Sequence, residues 1–397
     1  MAQRDRSHSI PCPSTLAPPA PPATASLFTH DGATLAYALP AAVPRALLLV
    51  AHGCRNSGRN WFTSAPTFGS PVRSSLPEES CVTAHAIAAG FAVLAPTASA
   101  DCWSAADLAP VEALVRAWGA SQPGLPSALP LFAYGTSSGG YFAHLVARQW
   151  ASLAAVSMTV SVPPLAEVQP PQPRGKAYPP LQLLYMQRDT GKGKEVQLLL
   201  EAAWQGKPEM EALLCAPRRV TPLYFTERAA LSPNHSSAVH AALLAAGHLK
   251  PDGAVASHPQ RGAWRAAVQG ALPKRERAGL PAHSLQAAMD AVFQVRIKSN
   301  DSHSKHEPQP HATVSVSIAT RSTAAVSQEL DVAYGYHAAT CEHIAASLAF
   351  FERHMPSRRP EAAAAAAAAA RPKASAAVTS KAAPRTKKRA VETSGRA

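Results

Sequence analysis

No apolar run in this sequence approaches the roughly 20 residues that a membrane span needs. No Cys-x-x-Cys pair occurs among the six cysteines (Cys12, Cys54, Cys81, Cys102, Cys215 and Cys341), which argues against a zinc ribbon or a redox dithiol. Six cysteines spread over 397 residues do not make a small disulfide scaffold, and their number leaves the compartment open. Residues 1–25 lack the uninterrupted apolar core of a secretory signal. They carry Arg4, Arg6, several serines and little acid, a composition that suits an organelle transit peptide or a disordered leader. A cytoplasmic location is the favoured reading. No nucleic-acid-binding motif is present, so no nucleic acid is expected through the core.

The net charge of +13 invites a polyanion partner until the charge is located. Residues 356–397 hold ten Lys/Arg against two Glu, a net +8, which leaves +5 for residues 1–355. Basicity is mostly a property of this tail. Its nine consecutive alanines and its Lys387-Lys388-Arg389 run read as a disordered, solvated segment that could touch polyanions. His303, His306 and His311 lie in a polar, Pro-broken stretch that reads as a solvated loop rather than a metal site.

The ordered part opens with two β-prone runs, Ala25–His30 and Ala33–Leu39, joined by the hairpin signal Asp31-Gly32. Ala46–Ala51 is apolar at every position, as a strand buried on both faces of a parallel sheet must be. Helical and strand-like stretches then alternate: Val82–Ala89, Phe91–Ala95, Ala105–Trp118, Leu131–Tyr134, Tyr141–Trp150, Leu153–Val162 and Leu181–Met186. This rhythm predicts an α/β protein with a mostly parallel central sheet and flanking helices. Residues 190–330 break the rhythm and read as an inserted, largely helical cap or lid. Helices are expected near Glu195–Leu214, Pro233–Ala246 and Leu285–Phe293, and strands at Phe293–Lys298 and Thr313–Ala319. Ser232-Pro233 is a helix start, with Ser as N-cap and Pro at the first helical position. The last element is a helix over Glu342–Arg353. The chain therefore divides into a leader (1–25), a first core part (26–189), the cap (190–330), a second core part (331–355) and the tail (356–397).

Four features carry chemistry. The first is Gly135-Thr136-Ser137-Ser138-Gly139 between an apolar strand and a helix. A sharp strand-to-helix turn lifts a serine oxygen above the sheet, and Gly135 and Gly139 leave room for it. Ser137 is the candidate nucleophile, and the Ser138 N–H at the helix start is a candidate oxyanion donor. The second is His52-Gly53-Cys54 after the first buried strand, where the Cys54 N–H would be the other donor and His52 and Gly53 would support the loop. The third is Asp189 after a late strand, the candidate acid, with Glu167 in reserve. The fourth is His337 before the last helix, the candidate base, with His343 and His354 competing. Gln328–Tyr336, just before it, reads as helical rather than as a strand. Cys54 and Cys102 both follow strands, so they either pair or remain partly buried thiols.

Together these features resemble the α/β-hydrolase superfamily. A finer likeness, over roughly residues 45–355, is to a poorly characterised plant and green-algal α/β-hydrolase group. It rests on His52-Gly-Cys, Cys102-Trp103, Gly135-x-Ser-Ser-Gly-Gly140, Pro222-Leu-Tyr-Phe-Thr-Glu-Arg228 and Tyr336-His337. That group leads one to expect an acidic residue after the histidine, where this chain has Ala338. The resemblance implies a serine hydrolase with a Ser137–His337–Asp189 triad and no cofactor. The expected partner is a small-molecule ester. Tyr224, Phe225, Trp264 and leucines of the cap could line an apolar pocket for it. The alternatives are a serine peptidase or amidase, or a non-catalytic binding protein on the same fold.

Overall fold

A computed structural model describes residues 25–63, 76–126, 128–168, 177–203, 209–229, 231–259, 264–272 and 318–356. The expected strands at Phe293–Lys298 and most of Thr313–Ala319, the helix at Leu285–Phe293, the three-histidine loop, the leader up to residue 24 and the basic tail lie outside these residues.

The chain folds around one eight-stranded sheet. Its strands are β1 (Ser26–His30), β2 (Ala33–Ala38), β3 (Ala46–Ala51), β4 (Phe91–Pro96), β5 (Leu131–Thr136), β6 (Leu153–Thr159), β7 (Leu181–Met186) and β8 (Met210–Cys215). They lie in the order β1-β2-β4-β3-β5-β6-β7-β8. The β1–β2 and β2–β4 pairs are antiparallel, and β3 to β8 run parallel with β4. Asp31 and Gly32 turn the first hairpin with φ of 48° and 77°, the left-handed geometry that matches strand twist in a two-residue loop.

Every second residue of a strand faces the same way, so the continuous apolar runs feed two cores. Leu49, Ala51, Leu94, Ala133 and Leu183 pack against α2 (Leu108–Ser121), α3 (Ser138–Gln149) and α5 (Thr190–Ala203). Leu48, Val50, Val93, Phe132 and Tyr134 pack on the other face against α1 (Pro77–Ala88) and α10 (Ile344–Arg353). Burying each of the leucines, valines and Phe132 contributes roughly 1.5–3 kcal/mol. With the strand order and both faces covered, this is an α/β-hydrolase fold. A short helix, α4 (Leu165–Val168), follows β6.

A third core belongs to α6 (Tyr224–Ala229), α7 (Pro233–Ala245), α8 (Trp264–Ala271) and α9 (Ile318–Tyr334). The Ser232 hydroxyl accepts the His235 N–H, so α7 starts where the Ser-Pro signal put it. The helix expected near Glu195–Leu214 needs correcting. The stretch Glu195–Leu214 is not one helix: α5 flanks the sheet, and β8 pairs with β7 as its edge strand. Helices α6 to α9 follow β8 in the chain. Strand β8 is half exposed along most of its length, so it never shows the continuous apolar run of its neighbours. Ile318 and Ala319, expected in a strand, open α9. Among the described residues, no helix is long and apolar enough to cross a membrane.

Candidate active site

Strand β5 ends at Thr136 and α3 begins at Ser138, so a single residue makes the turn. Ser137 holds φ 55° and ψ −118°, a conformation that costs a non-glycine residue about 1–3 kcal/mol. The Ser137 N–H on the Thr159 carbonyl (2.9 Å) and the Tyr141 N–H on the Ser137 carbonyl (3.1 Å) maintain it. A Cβ at Gly135 would overlap the Gly139 carbonyl, and a Cβ at Gly139 would overlap the carbonyls of Ala51 and His52. These two glycines let helix, strand and the neighbouring loop close on one another. Ser138 is the first residue of α3, so its N–H is among the four for which a helix has no internal acceptor.

The Ser137 Oγ lies 3.0 Å from His337 Nε2, and His337 Nδ1 lies 2.8 Å from Asp189 Oδ2. The three side chains form one hydrogen-bonded line. Asp189 is 7% exposed. It follows β7 and caps α5, its Oδ1 accepting the Lys192 N–H at 3.3 Å. The carboxylate therefore has one oxygen fixed by the helix start and the other turned to the imidazole. The capping role and a place beside the histidine are compatible.

His337, at φ 34°, sits in a loop between α9 and α10. Gly335, at φ 79°, ends α9, and its carbonyl accepts the Arg188 N–H at 2.9 Å, next to Asp189. Beyond His337 the loop is tied down by distant groups. Cys341 is disulfide-bonded to Cys81 of α1, and its N–H donates to the Glu78 carboxylate. Arg218 donates to Thr340 Oγ1 (3.1 Å) and Glu342 (2.9 Å), and lies 3.4 Å from Glu78. Glu78 also receives Arg228 of α6 at 2.6 Å. Burial opposes the charge on Glu78, but Arg228 and Arg218 hold its carboxyl below the usual range. Two nearby carboxyls shift the other way, Glu329 in spite of Arg228 at 3.5 Å. Burial pushes Glu79 up to about 7, and burial together with the Glu78 charge pushes Glu329 up to about 8. Nothing local in the sequence marked Cys81, Glu78 or Arg218 as partners of this loop, because they lie 122 to 263 residues from the groups they hold.

Opposite Ser137 runs the His52–Cys54 loop. His52 is fully buried, and burial lowers its pKa to about 4. Its Nε2 accepts the Ala98 N–H (3.1 Å), so the ring proton is on Nδ1 and donates to the Gly53 carbonyl (2.7 Å). The Trp103 indole donates to the His52 carbonyl at 2.9 Å and stacks on Phe142 of α3. A Cβ on Gly53 would stand 3.8 Å from Ser137 Cβ, in the space between the loop and the nucleophile. Cys54 is disulfide-bonded to Cys102. These contacts give His52 a structural task.

The reserve candidates stand elsewhere. Glu167 pairs with the buried His144 (3.0 Å) and with Arg148, not with His337. His343 is the N-cap of α10, with Nε2 3.3 Å from the Leu214 carbonyl. His354 caps the other end of α10. Tyr224, Phe225 and Trp264 do not line a pocket: they are 6%, 0% and 3% exposed and fill the core of the inserted helices. Among the described residues, two groups could gather around a metal ion, Cys81/His85/Cys341 and Cys215/Glu342/His343. The first has both sulfurs in a disulfide, and the second has Glu342 held by Arg218.

No family model matches this chain, and no curated protein matches it. Solved structures do. A dienelactone hydrolase from Anabaena variabilis is 18% identical, over 51% of this chain and 88% of that one, with a TM-score of 0.33. A lipase in its open form is 14% identical, over 49% of this chain and 90% of that one, with a TM-score of 0.35. A carboxyl esterase from Bacillus coagulans is 12% identical, over 49% of this chain and 89% of that one, with a TM-score of 0.33. The fold assignment rests on the strand order and the two covered sheet faces. What the site can do rests on its own geometry.

Proposed function

We propose that the chain is a serine hydrolase that cleaves carboxylic esters through Ser137, His337 and Asp189. The observation that carries this reading is the Ser137–His337–Asp189 hydrogen-bonded line, with its serine held in a strained turn at the carboxyl edge of the sheet. In this scheme Asp189 accepts a hydrogen bond from Nδ1–H of His337, which fixes the ring proton on Nδ1 and leaves Nε2 unprotonated and facing the serine hydroxyl. His337 takes that proton as Ser137 Oγ attacks the substrate carbonyl. The N–H groups of Cys54 and Ser138 hold the resulting oxyanion, each typically contributing ~10²–10³ in rate. His337 then protonates the leaving alcohol. Water, activated by the same imidazole, releases the acyl group and regenerates Ser137.

The inserted helices α6–α9 act in this reading as a cap over the site. A small-molecule ester is the proposed substrate. The cap's large aromatics are used up in its own core, so they offer no argument for an apolar acyl group.

A panel of p-nitrophenyl esters from acetyl to dodecanoyl tests the reading. Wild type is expected to turn over at least one of them, and Ser137→Ala to lose about 10⁴–10⁶ in kcat. Wild type no faster than Ser137→Ala on every ester would contradict it. Turnover of matched anilides or peptides at similar rates would move the assignment to an amidase or peptidase.

A further inference from the structure

The two disulfides are exposed to very different degrees, and each fastens a different loop of the site. Cys81 is half-buried and Cys341 is 1% exposed, beneath the Glu78–Arg218 network. Cys54 and Cys102 are both exposed. A dithiol in solution therefore reaches the second pair far more readily, because thiol–disulfide exchange needs access to a sulfur.

What that bond restrains is narrow. Upstream, His52 is held by Ala98, by Trp103 and by its own bond to Gly53, none of which involves sulfur. Downstream, a 3-10 turn over Gly58–Trp61 is fixed by the Gly58 N–H on Thr97 Oγ1 at 3.0 Å. Only the short span from Cys54 to Ser57 lies between these anchors. Within it Arg55 sits at φ 64°, a left-handed conformation that a side-chain-bearing residue avoids. The Asn56 N–H on the Gly53 carbonyl (3.3 Å) closes the turn around it, and the Arg55 N–H on the Asp101 carbonyl and the Cys54–Cys102 bond tie it to the same neighbouring loop. With the bond open, Arg55 can relax to negative φ. The peptide that rotates is the one next to the Cys54 N–H.

We infer that Cys54–Cys102 is a thiol–disulfide exchange site through which a dithiol reductant switches the oxyanion hole. The inference rests on the oxyanion role proposed for Cys54. In the forward step one thiolate of the reductant attacks a sulfur of the pair and expels the other as a thiolate. The second reductant thiolate then displaces the mixed disulfide. The S–S bond is lost, two protein thiols are gained, and the reductant leaves as its cyclic disulfide, so two electrons and two protons are transferred in all. The other disulfide keeps the His337 loop in place, so the reduced protein stays folded with its nucleophile and base intact and its oxyanion donor misplaced.

The full-length chain is titrated with reduced and oxidised dithiothreitol at 20 °C. Cys54, Cys102, Cys81 and Cys341 thiols are mapped by alkylation and peptide mass spectrometry. The readouts are kcat, KM and the inhibition constant of an aryl trifluoromethyl ketone, whose hemiketal oxygen occupies the oxyanion position. As Cys54 and Cys102 become thiols, kcat is expected to fall at least ~10-fold and the ketone to weaken by a similar factor, since one donor is typically worth ~10²–10³. KM should stay within about 3-fold, because ground-state binding does not use the donor. Reoxidation should restore all three. Cys102→Ala, which leaves the donor residue in place, should match reduced wild type and ignore dithiothreitol. A disulfide that merely stabilised the fold would lower Tm and leave the ketone affinity of the folded protein unchanged. The inference fails if kcat is unchanged once both thiols have formed, if Cys102→Ala works at the wild-type rate, or if the pair stays oxidised until the protein unfolds. An oxidised wild type that hydrolyses no ester would instead sink the serine-hydrolase reading, and this inference with it.

Discussion

The two loops that meet at Ser137 Oγ are built in opposite ways. The elbow is local: a buried strand, one strained residue and a helix start, with Gly135 and Gly139 giving the clearance. The His337 loop is non-local. It is held by Cys81, Glu78, Arg218 and Arg188, which belong to α1 and to segments near the ends of β7 and β8. A local device is specified by a few adjacent residues and fails when one of them is changed. A non-local one depends on the docking of separate elements, and its failure should show in stability and rate together.

The largest effect tests the line of side chains without disturbing either loop. Asp189→Asn keeps the shape but turns the wrong face to Nδ1, and kcat is expected to fall about 10⁴-fold with Tm within a few degrees. A fall under 10-fold would mean that Asp189 serves only as the cap of α5. Arg218→Met comes next. It removes the Arg218 ion pairs to Glu342 and Glu78 and leaves Glu78 with Arg228 and the Cys341 N–H, both carboxylates lying in partly or fully buried surroundings. Breaking a buried network from one side typically costs about 3–5 kcal/mol. Differential scanning calorimetry should show that loss, and kcat of the remaining folded protein should drop with it. An unchanged Tm would show that the His337 loop does not depend on this network.

A smaller effect comes from Glu79, buried in α1 beside Glu78 and bonded to Gln328 of α9 at 2.5 Å. Its pKa is raised to about 7 from 4.5, so the folded protein binds the extra proton between those values. Its contribution to stability is complete below about pH 4.5 and is lost as pH rises through about 7. Burial acts in the opposite sense on His52, whose contribution is complete above about pH 6.5 and is lost toward pH 4. The difference between wild type and Glu79→Gln isolates the first term. The variant should gain in Tm relative to wild type between pH 5 and pH 8. A parallel pair of Tm curves would contradict the raised pKa. The smallest effect is expected at Glu167→Gln, which disturbs the His144–Arg148 cluster and should leave kcat within about 3-fold. A loss comparable to that of Asp189→Asn would mean that the wrong carboxylate has been placed at the site.

The same contrast explains what could be read from the sequence. The double-sided apolar run Ala46–Ala51, the Asp31-Gly32 hairpin, the Ser232-Pro233 helix start and the elbow are short-range patterns, and each has its structural counterpart. Asp189 and His337 sit at element ends, which makes them candidates, yet only the folded chain brings His337 to Asp189 across 148 residues of sequence and to Ser137 across 200. The pairing of Cys54 with Cys102 depends on the loops after β3 and β4 lying side by side, which neither loop's sequence specifies. The bond between Cys81 and Cys341 spans 260 residues and has no local signature at all. Strand β8 reads in sequence as the end of a helix because an edge strand, half exposed, does not carry the apolar run of a central one.

The central claim is that Ser137 is a nucleophile activated through His337. Its most direct measurement is the rate and position of labelling by a fluorophosphonate, read by peptide mass spectrometry in wild type and in His337→Ala. The account predicts a single adduct on Ser137 in wild type, formed at least ~10²-fold faster than in His337→Ala, as loss of a general base implies. Labelling on another residue, no labelling, or equal rates in the two proteins would contradict it.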